Sequence, residues 1–293
     1  MEVWGGNQAV DNGVTMPGLD AWVVARPHMG DDAGGDVHYL SSCATGRITR
    51  LMVADVSGHG STVSQTALAL RALMRRFINH LDQRRAVEFL NAEFAKQELS
   101  GRFATAVLGT FWGPTGVLTL CNAGHPRPLW YRAKTGRWQT LESGPTDQAD
   151  GDEPTDVPLG VLDSTKYRQV EVRLRTGDLV LLYTDSLVES RLVGGGLLGE
   201  AGLLDAMHSV PVSDPARLIP SVLAELARRG AEIHDDLTAL LLRPNGLTPR
   251  LTIAERFAAL ARIAKGLLSR DGSAIPEAGV RTVGGFFADR LNK

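Results

Sequence analysis

The stretch Val53-Ala54-Asp55-Val56-Ser57-Gly58-His59-Gly60 decides how this 293-residue chain is read. An apolar run from Ile48 to Ala54, broken only by Thr49 and Arg50, ends in an aspartate. A glycine-rich turn follows, and then a helical pattern. A carboxylate where a buried strand meets a tight turn is held rigidly at the edge of a core, placed to grip a metal ion or to hydrogen-bond the turn. Three more aspartates have similar settings: Asp36 after Gly34-Gly35, Asp185 after Leu179 to Thr184, and Asp235 before Leu237 to Leu242. Each alone reads as a turn former or a cap. Four together point to one acidic, metal-binding centre.

Outward from that stretch, the pattern alternates between strands and paired helices. Ala21 to Arg26, Val37 to Leu40 and Arg47 to Val56 read as strands. From Ser61 the apolar residues Val63, Ala67, Leu70, Leu73 and Phe77 recur at three- and four-residue intervals, predicting an amphipathic helix to about Leu81. Asp82 is placed to cap a second helix through Val87, Leu90 and Phe94 to Leu99. Strands return at Ala104 to Trp112, Val117 to Asn122, Pro128 to Arg132, Trp138 to Leu141, Tyr167 to Leu174 and Leu179 to Thr184. Helical stretches near Leu198–His208 and Ala216–Arg229 precede a last strand at Leu237 to Arg243. Helices in pairs between runs of antiparallel-looking strands favour an α+β sandwich over alternating βαβ units. The chain then divides into a lead-in (residues 1–19), a domain (20–243) and a helical C-terminal extension (244–293). In the extension, Thr252-Ile253-Ala254-Glu255 has the form of a capping box. The helix that follows reads either as packed back on the core or as a docking surface for a partner. The segment Ser143 to Val157, rich in aspartate and without apolar periodicity, reads as a solvated loop or as a flap beside the site.

Composition narrows the class. Hydrophobic residues make up 43% and charged residues 22%, as in an ordinary soluble domain. The net charge of −2, without a long Lys/Arg cluster, gives no nucleic-acid footprint. Two cysteines, Cys43 and Cys121, make neither a disulfide framework nor a metal-type spacing, and a reducing cytoplasm is the expected home. The N-terminus lacks the form of a signal peptide, and no apolar run is long enough to span a bilayer, so no membrane role is expected.

A set of aspartates with no Cys/His cluster nearby suits hard cations such as Mg²⁺ and Mn²⁺, which take oxygen ligands. Two such ions about 3.5–4 Å apart turn a shared water into a hydroxide near neutral pH, able to attack phosphorus in line. No protein nucleophile is then required, and the chain has no Gly-x-Ser-x-Gly elbow, phosphate loop, dinucleotide fingerprint or His-Glu-x-x-His pair. His59 reads as a turn or cap residue, His125 as a structural hydrogen-bonding residue, and Glu189 as an acid favouring a helix N-terminus.

Six motifs stand in order: Ala33-Gly34-Gly35-Asp36, Val53 to Gly60, Asn122-Ala123-Gly124-His125-Pro126, Pro158-Leu159-Gly160-Val161, Gly177 to Asp185, and Asp235-Asp236-Leu237-Thr238. The series resembles the metal-dependent protein serine/threonine phosphatases of the 2C type, most closely the bacterial sporulation stage II E and sigma-regulator branch. The resemblance covers about residues 20 to 243. It implies an antiparallel β-sandwich flanked by helix pairs, with two Mn²⁺ or Mg²⁺ ions at one end, Asp55 bridging them and the Val56 carbonyl helping to bind one. It further implies Asp185 and Asp235 in the second ion's shell, and Asp36 on or just outside the first. Of Asp235 and Asp236, the first is the expected ligand. The implied substrate is a phosphoserine or phosphothreonine protein, in this branch a small anti-sigma antagonist domain.

The chain departs from the pattern at three places. Ser186 stands where the family has glycine after Asp185, Tyr39 where it often has an aspartate, and Ser57 where eukaryotic relatives have a histidine. No general acid is therefore assigned, and Arg26 is the one candidate for a phosphate-binding arginine. The rival readings are a degenerate phosphatase acting as a regulatory binding module, motivated by Ser186 and Tyr39, and a metal-dependent hydrolase of another ester.

Overall fold

Strands buried along nearly their whole length must be covered on both faces, and Ile48–Val56, Leu179–Tyr183 and Leu237–Pro244 are covered in that way. In the computed structural model, which describes residues 2–43, 46–58, 61–77, 82–96, 102–141, 155–163 and 165–247, they are the central strands of two sheets. The first sheet has the order β1-β4-β5-β6-β7-β10: Glu2–Gly6, Asp36–Ser42, Ile48–Val56, Ala104–Trp112, Val117–Ala123 and Gln169–Arg173. The second has the order β2-β3-β14-β11-β8-β9: Val10–Met16, Leu19–Arg26, Leu237–Pro244, Leu179–Tyr183, Leu129–Arg132 and Arg137–Thr140. Every pairing within them is antiparallel.

Alternation of side chains sorts the core into three layers. Leu51 and Val53 of β5 meet Val180 and Leu182 of β11 and Leu240 and Leu242 of β14 between the sheets. Met52, Ala54 and Val56 face the opposite way, onto Val63, Ala67, Leu70 and Met74 of α1 (Ser61–Phe77) and Val87, Leu90 and Phe94 of α2 (Gln83–Lys96). The second sheet turns Leu179, Leu181 and Tyr183 onto α3 (Gly199–Ser209) and α4 (Pro215–Arg228). The expected helix-flanked sandwich is therefore the observed one. Asp82 caps α2 as its sequence position predicts, its Oδ1 accepting the Arg84 N–H at 3.0 Å.

The lead-in requires a correction. Residues 2–19 lie inside the domain: β1 pairs with β4 and β2 with β3, so each sheet takes an edge strand from them. Gly5, Gly6, Asp11, Asn12 and Gly13 break the apolar pattern there, and an edge strand needs little of one because it is half covered. The domain also extends past residue 243. Pro244 is opposite Leu19, and the Asn245 amide donates to the Met16 carbonyl at 2.9 Å and to Asp20 Oδ1 at 2.8 Å. A short hairpin of β12 (Arg191–Leu192) with β13 (Ala231–Glu232) is a further element the sequence pattern did not reveal. His59, Gly60, most of the acidic segment 143–157 and the helix expected from Ile253 lie outside the described residues.

Candidate active site

Antiparallel pairing brings the four aspartates to one end of the sandwich. β5 ends where β4 begins, and Asp36 stands directly opposite Asp55. β11 ends where β14 begins, which places Asp185, two residues after β11, beside Asp235, two residues before β14. By the two-residue period Asp55 shares the inward face of Leu51 and Val53, and Asp36 that of Leu40, so both carboxyls enter the gap between the sheets. The two halves are tied there: the Thr184 hydroxyl donates to Asp36 Oδ2 at 2.7 Å.

The acids differ in environment. Asp36 is 5% exposed, Asp55 and Asp185 are half-buried, and Asp235 is exposed. Burial pushes the Asp55 carboxyl up to about 7, aided by the charges of Asp185, Asp235 and Asp236. Burial likewise raises Asp185 to about 6, with Glu189 and Asp235 adding repulsion. Asp36 is raised well above the ordinary carboxylate range, first by burial and next by Asp55. These groups hold one another's charge in check, and either protons or cations must relieve them.

Asp235 and Asp236, adjacent in sequence, have opposite duties. Asp236 accepts the His28 N–H at 2.6 Å and the Gly35 N–H at 2.5 Å, fastening the loop after β3 to the start of β14. Asp235 accepts only a local bond, from the Asp236 N–H at 2.8 Å, and keeps an exposed carboxylate. Gly34 is required by this clasp, because a β-carbon there would lie 2.4 Å from the Asp236 carboxyl.

The donor set is all oxygen. A β-carbon on Gly35 would come within 3.0 Å of the buried Val56 carbonyl oxygen, so only glycine lets the two backbones approach so closely beside the acids. Among the described residues no three Asp, Glu, His or Cys side chains converge as a ready-made chelate. What the sandwich supplies is a set of mutually repelling carboxylates at one end, next to a backbone carbonyl, and such oxygen donors fit hard divalent cations.

The departures from the family pattern have local explanations. Ser57 pins the turn after β5 to the start of β6: its N–H donates to the Phe103 carbonyl at 2.9 Å and its hydroxyl accepts the Phe103 N–H at 3.1 Å. Ser186 sits inside a short 3₁₀ turn, Asp185–Leu187, and does not have the positive φ that would call for glycine. Tyr39 points into the helix-side core, away from the acids. His125 is a buried, neutral ring, its pKa lowered to about 3 by burial. Its Nδ1 lies 2.9 Å from Thr105 Oγ1, and Asn122 bonds its backbone N–H and carbonyl. Arg26 ends β3 opposite Leu237, at the acidic end and exposed. Thr184 and Asp236 were not singled out from the sequence as positioning groups. The available signal was a hydroxyl or carboxyl directly beside each predicted ligand.

Known proteins give the same picture. The phosphoserine phosphatase RsbU of Bacillus subtilis (strain 168) is 24% identical over 126 residues, 43% of this chain and 34% of RsbU, so the match spans about a third of that relative's length. The solved RsbU and RsbW domains of Rv1364c from Mycobacterium tuberculosis superpose with a TM-score of 0.66 at 27% identity, over 89% of this chain and 71% of that one. RsbX, solved in complex with magnesium, gives a TM-score of 0.58 at 16% identity, over 80% of this chain and 100% of that one. The family model of stage II sporulation protein E matches residues 45–245, more than half of the chain and a span holding Asp55, Asp185 and Asp235. The chain belongs to the stage II sporulation protein E (SpoIIE) family.

Proposed function

We propose that this chain is a metal-dependent phosphoprotein phosphatase that hydrolyses phosphoserine or phosphothreonine in a signalling pathway. One observation carries the reading: Asp36, Asp55, Asp185 and Asp235 lie together at one end of the sandwich, close enough that their charges raise the pKa values of Asp36, Asp55 and Asp185. The name of the RsbU relative, a phosphoserine phosphatase, and the magnesium in the RsbX structure support it.

In this reading Asp36, Asp55, the Val56 carbonyl, Asp185 and Asp235 would hold two Mn²⁺ or Mg²⁺ ions. When bound, such ions supply Lewis acidity and an activated water for in-line attack on phosphorus. Asp236 contributes by holding the loop after β3 in place through its two backbone bonds. Arg26, at the rim, is placed to pair with phosphate oxygens. His125 stays neutral and bonded to Thr105, so it does not serve as the general acid. The substrate is a phosphorylated protein, in this branch a small anti-sigma antagonist domain, and the compartment is the cytoplasm. Among the described residues no helix is long and apolar enough to cross a membrane.

Purified protein is expected to hydrolyse para-nitrophenyl phosphate with added Mn²⁺, and Asp55→Ala to abolish turnover with the circular dichroism spectrum intact. Arg26→Ala is expected to raise KM for a phosphopeptide by roughly 10–100-fold, the worth of a charged hydrogen bond. Wild-type protein inert across Mn²⁺ and Mg²⁺ titrations sinks the proposal.

A further inference from the structure

Asp36 is the most buried of the acids, and its carboxyl is held from the opposite sheet. Thr184 Oγ1 lies 2.7 Å from Asp36 Oδ2, and Thr184 is fully buried. A hydroxyl has one proton to give and can accept two. The Thr238 N–H donates to Thr184 Oγ1 at 2.9 Å and so takes one acceptor position. The proton of Thr184 has three neighbours: Asp36 Oδ2 at 2.7 Å, the Thr238 carbonyl at 3.4 Å and Ser186 Oγ at 3.5 Å. The nearest is also a carboxyl oxygen, the strongest acceptor of the three, so the proton goes to Asp36. The hydroxyl of Thr238 is also buried, makes no hydrogen bond of normal geometry, and lies where it bears on Asp36.

We infer that Thr184 and Thr238 form a cross-sheet clasp that turns Asp36 toward the cation site, Thr184 holding Oδ2 and the Thr238 hydroxyl standing beside the same carboxyl as a second donor. The inference rests on the reading of Asp36 as a ligand given above. The clasp has a second effect. Thr184 directly precedes Asp185 and Thr238 follows Asp235 by three residues, so the same bonds set the second sheet's pair of acids in register with Asp36 and Asp55. Both threonines are positioning residues, acting through Asp36.

The test is calorimetric titration of the full chain with Mn²⁺, a readout independent of turnover. Thr184→Val keeps the shape and removes the hydroxyl; it is expected to weaken Mn²⁺ binding by about 10–100-fold, and Thr184→Ser to restore it to within about threefold. Thermal unfolding in chelator shows which variants fold. Thr238→Val removes the second hydroxyl and leaves the backbone N–H that bonds Thr184; where the thermal scan shows it folded, it is expected to bind about 10-fold more weakly. A folded Thr184→Val that binds like wild type overturns the clasp, as does a serine variant as weak as valine. If Thr184→Val does not fold, Thr238→Val binding like wild type overturns it. Wild type that binds no Mn²⁺ overturns the clasp and the phosphatase reading together, whereas normal wild-type binding with unaffected variants overturns the clasp alone.

Discussion

Asp235 and Asp236 show how neighbouring carboxylates divide their labour. The second spends both oxygens on backbone N–H groups of His28 and Gly35, and the first stays exposed beside Asp55 and Asp185. Substituting them should therefore separate stability from metal binding. Asp236→Ala leaves two N–H groups unpaired and is expected to cost about 2–4 kcal/mol in urea unfolding. Asp235→Asn should leave the urea midpoint within about 0.5 kcal/mol of wild type, as for an exposed position, while Mn²⁺ binding is lost. Gly34→Ala drives a β-carbon against the Asp236 carboxyl and should resemble Asp236→Ala. Equal stability losses at 235 and 236 would count against this division.

At the scale of elements, α2 is coupled to the acidic end through a single buried amide. Asn91 is 1% exposed; its Nδ2 donates to the Leu162 carbonyl and its Oδ1 accepts the Gly160 N–H, both at 2.8 Å. The 159–162 turn in turn bonds β6, where Leu159 and Ala104 exchange backbone hydrogen bonds of 2.7 and 2.9 Å. Phe103, one residue before β6, holds Ser57. A path of contacts thus runs from the helix pair to the turn that follows Asp55. Asn91→Ala leaves both partners unpaired and is expected to destabilise by about 1–3 kcal/mol. Because the path ends at the Ser57 turn, kcat on para-nitrophenyl phosphate should fall as well. A surface control such as Lys134→Ala, on the loop joining β8 to β9, should change neither.

For the whole molecule, the crowding of carboxylates sets a pH dependence. Asp55 and Asp185, raised to about 7 and about 6 from an ordinary value of 3.8, bind protons more tightly folded than unfolded. Their contribution is fully present below the unfolded pKa and is lost as pH rises through about 6 to 7. Chelator-treated protein should therefore lose thermal stability from pH 5 to pH 8. Saturating Mn²⁺ should reverse the loss, by roughly 5–10 °C at about 100 times Kd. A Tm that rises over that range in chelator would refute the assignment. The sheets also predict where the chain can be cut. A chain ending at Leu247 keeps the twelve strands of the two large sheets and the Asn245 bonds and should unfold cooperatively. One beginning at Asp20 loses both edge strands and should not.

How far this protein can be read without its fold follows from burial and distance along the chain. β5, β11 and β14 are covered on both faces, so each is a largely apolar run, and the aspartates at their ends stand out against it. The strand-and-helix order, the sandwich and the four acids were legible for that reason. β1 and β2 were not, because edge strands are half covered and tolerate Gly5, Gly6 and Gly13. The separate duties of Asp235 and Asp236 were not fully legible either, since their partners His28 and Gly35 lie some 200 residues away and only folding brings them near. Nor was the Thr184–Asp36 bond, which spans 148 residues and joins two sheets that never pair strand to strand. Local periodicity decides which residues are buried. Which buried polar atoms meet is decided by how the sheets stack, and that follows from the packing of the whole sandwich.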